Sequence, residues 1–257
     1  IRWTMIAGVF VCANAWADPP ADAIPVGLRC LKAAYPDHIC SVKPNALVWC
    51  DGTVMPYDDG IRNKTFAQKL ANPDLEDQMS LRYSREDETS WRPQQDDDPG
   101  RIRYEPFFRK LYGGDRRSVR KKTRSVQWGV AGTKRRLRMT TVNGVDRKLG
   151  AIADALSSLP SSVQRTARKT AGGFHWRRIR GTGRLSMHSF GVAVDVGMNV
   201  ADYWRWRGVE RYRNRLPLRL VRLFEKHGFI WGGRWYHYDT MHFEYRPELL
   251  MDPCLKR

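Results

Sequence analysis

Long apolar runs are missing. No stretch of the 257 residues approaches the roughly eighteen that a membrane-spanning helix needs, so a multipass membrane protein is excluded. Internal repeats and low-complexity tracts are missing too. Cysteine is sparse, five in all, and the intervals between Cys30, Cys40 and Cys50 are not the short paired spacings of structural zinc sites. Acidic residues run short in the second part of the chain. From residue 99 onward thirty-five Lys and Arg face twelve Asp and Glu, whereas residues 1–98 hold ten and fifteen, within a net charge of +18. A cationic half of this kind attracts polyanions by steering and counterion release. It fits nucleic acid, anionic lipid, an acidic cell-wall polymer or a plain solvated surface alike. What the chain does have is 42% hydrophobic and 11% aromatic residues, enough for a buried core and incompatible with wholesale disorder.

At the N-terminus Arg2 precedes an apolar stretch from Met5 to Ala13, and Ala15-Trp16-Ala17 is followed by Asp18-Pro19-Pro20. This is the layout of a secretory signal peptide with small residues at the cleavage positions. Residues 1–17 are therefore expected to be removed, leaving a mature protein, secreted or periplasmic, with no transmembrane anchor. Cys12 makes a poor lipoprotein site, because Phe10 and Val11 before it are not small. Cleavage after Ala17 leaves Cys30, Cys40, Cys50 and Cys254, an even number that in an exported chain favours two disulfides, with three connectivities open. Any bridge from Cys254 must tie the tail to the N-terminal segment.

Residues 18–100 are short apolar pieces broken by turn signals such as Pro36-Asp37, Lys43-Pro44-Asn45, Asp51-Gly52 and Asp58-Asp59-Gly60. Together with the basic runs of residues 101–136, which are expected to hold a solvated loop, they read as an irregular, disulfide-stapled extension. From residue 137 the patterns sharpen. Residues 137–142 alternate as a strand, Asn143-Gly144 turns, and Val145, Leu149, Ile152, Leu156 and Leu159 mark one helix face that stops at Pro160. A second helix is expected from Pro217 to Gly228, with Leu220, Val221 and Phe224 inward. Strand-like segments cover residues 174–179, 192–196, 229–231 and 241–245. Strands and helices mix without strict alternation, so residues 137–257 are expected to form an α+β domain with a mainly antiparallel sheet and flanking helices.

The chemistry concentrates in Ser186-Met187-His188-Ser189-Phe190-Gly191-Val192-Ala193-Val194-Asp195 and Tyr238-Asp239-Thr240-Met241-His242-Phe243-Glu244. Strand alternation places Asp195 on the face of Ala193 and Gly197, opposite the valines, and places His242 and Glu244 opposite Met241, Phe243 and Tyr245. Should the two strands be neighbours, Asp195 and His242 share a cleft. Gly191 allows His188 to fold back toward the same carboxylate. Two imidazoles and one carboxylate, with a fourth position open, describe a catalytic zinc site (Zn2+) rather than a closed structural one. Asp239 sits at the mouth of the strand, placed to take a proton from water activated there. His237 is a reserve ligand. Trp231, Trp235, Tyr236 and Tyr238 are candidates for the cleft wall, a place they share with ordinary core aromatics.

These stretches, with Gly232-Gly233-Arg234-Trp235 between them, resemble the VanY-type zinc peptidases, the D-alanyl-D-alanine carboxypeptidase and L-alanyl-D-glutamate endopeptidase family. The resemblance covers roughly residues 137–250. It implies the D,D-peptidase/Hedgehog-type fold, zinc held by His188, Asp195 and His242, and Asp239 as general base and then acid. It also implies an arginine for the oxyanion, for which the run before Gly181-Thr182 points to Arg177, with Arg178 and Arg180 as neighbours. Ser186, Trp235 and Tyr238 complete the substrate-contacting set. The implied substrate is the peptide stem of peptidoglycan, and the implied activity carboxypeptidase or endopeptidase. A non-catalytic wall-binding module of the same fold is the alternative. Nucleic-acid binding through residues 101–136 rests on charge alone, and the signal-peptide layout argues against it.

Overall fold

The computed structural model describes residues 24–85 and 93–255. The expected leader, residues 1–17 with Cys12, lies outside the described residues. Among those described, no helix is long and apolar enough to cross a membrane.

The N-terminal part is built from short pieces, as its frequent turn signals dictate. Helix Val26–Ala34 buries Leu28, Cys30, Leu31 and Ala34 on one face. Strands β1 (Ile39–Lys43), β2 (Ala46–Trp49) and β3 (Val54–Pro56) form an antiparallel meander. Cys40 bonds to Cys50 across the β1–β2 hairpin, and Cys30 bonds to Cys254, so the tail is tied to the first helix. The short helices Phe66–Ala71 and Leu75–Met79 each open on a capping box, Thr65 with Gln68 and Asp74 with Asp77.

The basic stretch departs from the expected loop. Residues 101–136 carry helices Glu105–Tyr112 and Arg116–Lys121 and strand β4 (Thr123–Trp128). In the first helix Phe107, Phe108, Leu111 and Tyr112 form a buried stripe, while Lys110 stays exposed and Arg109 only half-buried. The arginines and lysines carried on these helices and this strand are thus the wet faces of amphipathic elements, whereas Arg101 and Arg103 before them turn inward. Strand β4 pairs antiparallel with β5 (Arg135–Thr140), from Thr123↔Thr140 to Trp128↔Arg135. Chain on both sides of residue 136 therefore shares one ribbon.

The second part follows the sequence pattern more closely. Helix Val145–Leu156 buries Val145, Leu149, Ile152, Ala153 and Leu156. It ends at Leu156, short of Pro160, so Leu159 lies beyond it, and Pro160 instead precedes a further helix, Ser161–Arg168, not anticipated from the sequence. A four-stranded antiparallel sheet runs in the order β6 (Thr170–Gly172), β7 (Ala193–Val196), β9 (His242–Tyr245), β8 (Phe229–Trp231). Helix Leu218–Lys226 lays Leu220, Val221 and Phe224 on this sheet, with the Phe224 ring 4.1 Å from that of Phe243. Residues 174–179, expected as a strand, are not part of the sheet. Gly172 and Gly173 take positive φ and turn the chain away, leaving an isolated Arg178↔Leu185 bridge. One contiguous set of buried apolar residues runs from Ile24 to Cys254, so both parts of the chain share a core.

Candidate metal centre and active site

Pairing of β7 with β9 sets Asp195 directly opposite His242. Because successive strand residues point to opposite faces, this register delivers both side chains to one side of the sheet. The third group arrives on a short 3-10 turn, Met187–Phe190, closed by Gly191 in the left-handed region (φ 68°). The Asp195 Oδ1 atom lies 3.2 Å from His242 Nδ1 and 3.4 Å from His188 Nε2, and one ligand atom from each residue falls within 4.8 Å of the others. The two imidazole rings meet edge to face at 5.3 Å. All three expected ligands therefore converge.

The outward nitrogens are braced. His188 Nδ1 faces the Gly173 carbonyl oxygen at 3.2 Å, and His242 Nε2 faces Glu244 Oε2 at 2.9 Å. With a cation at the centre, each ring would donate from its far side and present the near nitrogen's lone pair to it, the arrangement that orients metal-binding histidines. Gly172 is required beside it, since a Cβ there would lie 2.6 Å from His188 Cε1.

Electrostatics also favour a cation at this point. Burial opposes ionisation of Asp195, but the bonds from His188 and His242 outweigh it and hold the carboxyl far below the usual carboxylate range. Burial likewise pulls His242 down, yet Asp195 and Glu244 together push it up to about 10. A site that would hold a proton so firmly suits a divalent ion, and two imidazoles with one carboxylate are a borderline-soft N/O donor set.

Glu244 is fully buried and joined to Arg103 at 2.6 Å and to Arg246 at 3.3 Å. Arg246, also fully buried, donates to the Gly100 carbonyl oxygen. Asp98 binds the backbone N–H of His237 and meets its Nδ1 at 2.6 Å, which removes the reserve ligand from the centre. Residues 98–103 thereby form a belt along the site, with Arg101 and Arg103 in its cavity wall. Glu244 was within reach of the sequence, on the face alternation gave to His242. Arg103 and Asp98 carried no local signal.

Asp239 follows the 3-10 turn Gly232–Arg234, with its backbone N–H donating to the Gly232 carbonyl oxygen at 2.9 Å. Its Oδ1 is buried without a hydrogen-bond partner among the described residues, and burial raises the carboxyl to about 6, with His242 opposing the rise and Asp195 adding to it. Asp239 and the three candidate ligands line a cavity of about 340 Å³. Arg177, Ser186 and Trp235 line it as well. Ser189, a residue the sequence reading passed over, fixes Arg177 by accepting from its backbone N–H at 2.9 Å and donating to its carbonyl oxygen at 2.8 Å. Arg180 also reaches the cavity, because residues 174–179 do not follow strand alternation; Arg178 turns to the Gly183 carbonyl oxygen instead. Trp235 donates its indole N–H to the Pro99 carbonyl oxygen at 2.7 Å and sets its ring 5.7 Å from His242. Tyr238 does not line the cavity. It is fully buried, with its hydroxyl on the Gly208 and Arg211 carbonyl oxygens, and serves as core.

Comparison with curated proteins and with solved structures yields no match. Residues 180–245, the stretch that holds His188, Asp195, Asp239 and His242, match the family described as D-alanyl-D-alanine carboxypeptidase.

Proposed function

We propose that this chain is an exported zinc metallopeptidase that hydrolyses an amide bond in the peptide stem of peptidoglycan. Its action is of the D-Ala-D-Ala carboxypeptidase or the L-Ala-D-Glu endopeptidase type. The observation that carries the reading is the meeting of His188, Asp195 and His242 within 4.8 Å, in a cleft that also holds Asp239. Two imidazoles and one carboxylate leave a position open, as catalytic zinc sites do. Zinc bound there contributes Lewis acidity, polarising the scissile carbonyl and making water a competent nucleophile near neutral pH. Asp239 takes the proton of the attacking water and returns it to the departing amine nitrogen as the C–N bond breaks. An unpartnered carboxylate oxygen and a pKa near that of a proton carrier suit this exchange. Arg177 offers a guanidinium to the negative charge that gathers on the carbonyl oxygen, while Ser186 and Trp235 flank the bound peptide. Peptide stems are rich in free carboxylates, which an arginine-lined cleft attracts. The two disulfides suit an oxidising compartment.

The experiment is digestion of purified peptidoglycan by the zinc-loaded protein and its Asp239→Asn variant, with muropeptides read by mass spectrometry. The variant is expected to lose about 100- to 10,000-fold in rate with its zinc content unchanged. Loss of a terminal D-Ala identifies the carboxypeptidase, and separation of the stem from its first L-Ala the endopeptidase. No cleavage by the unmutated protein across several wall types would make the non-catalytic wall-binding module the better reading.

A further inference from the structure

Arg103, Thr182, Arg184 and Met187 line both the cavity at His188 and a second cavity of about 670 Å³. The second is walled by apolar groups that include Leu70, Pro106, Phe108 and Phe190. The two are therefore adjacent, and the guanidinium groups of Arg103 and Arg184 stand at the junction where they share a wall.

Charge at that junction is not balanced from within. Arg103 is matched by Glu244 at 2.6 Å, and Arg101 lies 3.4 Å from the buried carboxylate of Asp98. Arg184 differs from both. It donates to the Arg101 carbonyl oxygen at 3.1 Å, and among the described residues no carboxylate forms an ion pair with it. Burial and the adjacent charges of Arg103 and Arg101 lower Arg184 to about 10. A half-buried cation beside two others is stabilised by an anion, and a planar guanidinium matches a carboxylate in bidentate geometry.

We propose that Arg184, set by Arg101 and Arg103, is a specificity-determining residue that binds a free carboxylate of the substrate at the junction of the two cavities. The subsite rests on the peptidase reading above. Arg101 and Arg103 lie outside the family match at 180–245, so the N-terminal part of the chain helps to select the substrate. Two carboxylates of a peptide stem have the required chemistry, the chain-terminal one and the α-carboxylate of the glutamate residue.

Binding by calorimetry to the zinc-loaded Asp239→Asn protein tests this without turnover. Four capped stem peptides serve as probes, in two pairs: terminal carboxylate free or amidated, and glutamate α-carboxylate free or amidated. One pair is expected to differ by about 10- to 100-fold in Kd, and that pair names the source. Adding Arg184→Gln should shrink the difference to about threefold or less, and Arg184→Lys should leave an intermediate one. Equal binding within both pairs overturns the proposal, as does a difference that survives Arg184→Gln. A loss spread evenly over all four peptides also overturns it, since that is what a merely structural arginine would produce. If the unmutated protein proves unable to hydrolyse any stem, the peptidase reading fails while these ratios still report on Arg184.

Discussion

Replacing Glu244 by Gln keeps an oxygen for the His242 Nε2–H but removes the negative charge behind it. That charge acts from full burial, 2.9 Å from the imidazole, where solvent does not screen it. It is present at any working pH, because Arg103, His242 and Arg246 outweigh burial and keep the carboxyl well below its usual range. With the charge gone, His242 becomes a weaker base and its ring is less firmly oriented. Loss of such a partner lowers metal affinity by about 10- to 100-fold, or about 1.4–2.7 kcal/mol. The same substitution also loosens the fold, since Arg103 loses its counter-charge and Arg246 is left with Glu248 as its carboxylate partner among the described residues, so about 1–3 kcal/mol of stability should go with it. The two effects separate by measurement. Zinc uptake by stripped protein is titrated against a chelator of known affinity, and urea unfolding is followed on the metal-free forms. If Glu244→Gln takes up zinc within about twofold of the unmutated protein while unfolding more easily, Glu244 is a counter-ion for arginines alone and the role given to His242 is wrong.

Gly172→Ala places a methyl 2.6 Å from His188 Cε1 at a backbone φ of 86°, so it should cut zinc affinity by about tenfold or more with little change in far-UV circular dichroism; normal uptake would show that the imidazole is not held there. Removing the Cys30–Cys254 bridge, which closes a span of 224 residues, should lower stability by up to about 5 kcal/mol, against about 3 for the Cys40–Cys50 bridge with its span of 10. Serine pairs at each bridge, compared by denaturant midpoint, check the order, and the reverse order would contradict it. Alkaline pH should unfold the protein through its buried phenols. Burial raises Tyr35, Tyr83 and Tyr112 well above their ordinary range, and Tyr35 and Tyr83 donate to Glu248 and Glu225 at 2.7 Å. Unfolded tyrosines ionise near about 10, so stability is complete below that pH and is lost as pH rises beyond it. Phenolate absorbance should lag and then rise together with loss of structure, whereas early ionisation in an intact fold would refute the assignment.

The candidate ligands were legible because their placement is a local matter. A period of two fixes the face of Asp195 and of His242 wherever the strands lie, and a glycine three residues after His188 permits the turn that carries it; tertiary structure had only to make β7 and β9 neighbours. Residues 174–179 show the limit of the same rule. Their alternation is real, but the Gly172-Gly173 turn sends them off the sheet, where the N–H of His175 donates to the His188 carbonyl oxygen and that of Ser186 to the Arg177 carbonyl oxygen. The segment braces the turn that carries His188 instead of extending the sheet. Tyr238 failed as a cleft residue for a related reason, since proximity to a ligand in sequence does not decide which side of a turn a ring occupies. The belt of residues 98–103 had no local mark at all. Asp98 meets His237 across 139 positions and Arg103 meets Glu244 across 141, so only the folded chain could reveal them. Their consequence is physical: Glu244 is buried, and its charge is tolerable only with Arg103 and Arg246 beside it. Arg246 is in turn held by the Gly100 carbonyl oxygen. The N-terminal part of the chain thus supplies counter-charge that lets a carboxylate stand behind His242, and the candidate ligand set inside 180–245 depends on residues well outside it.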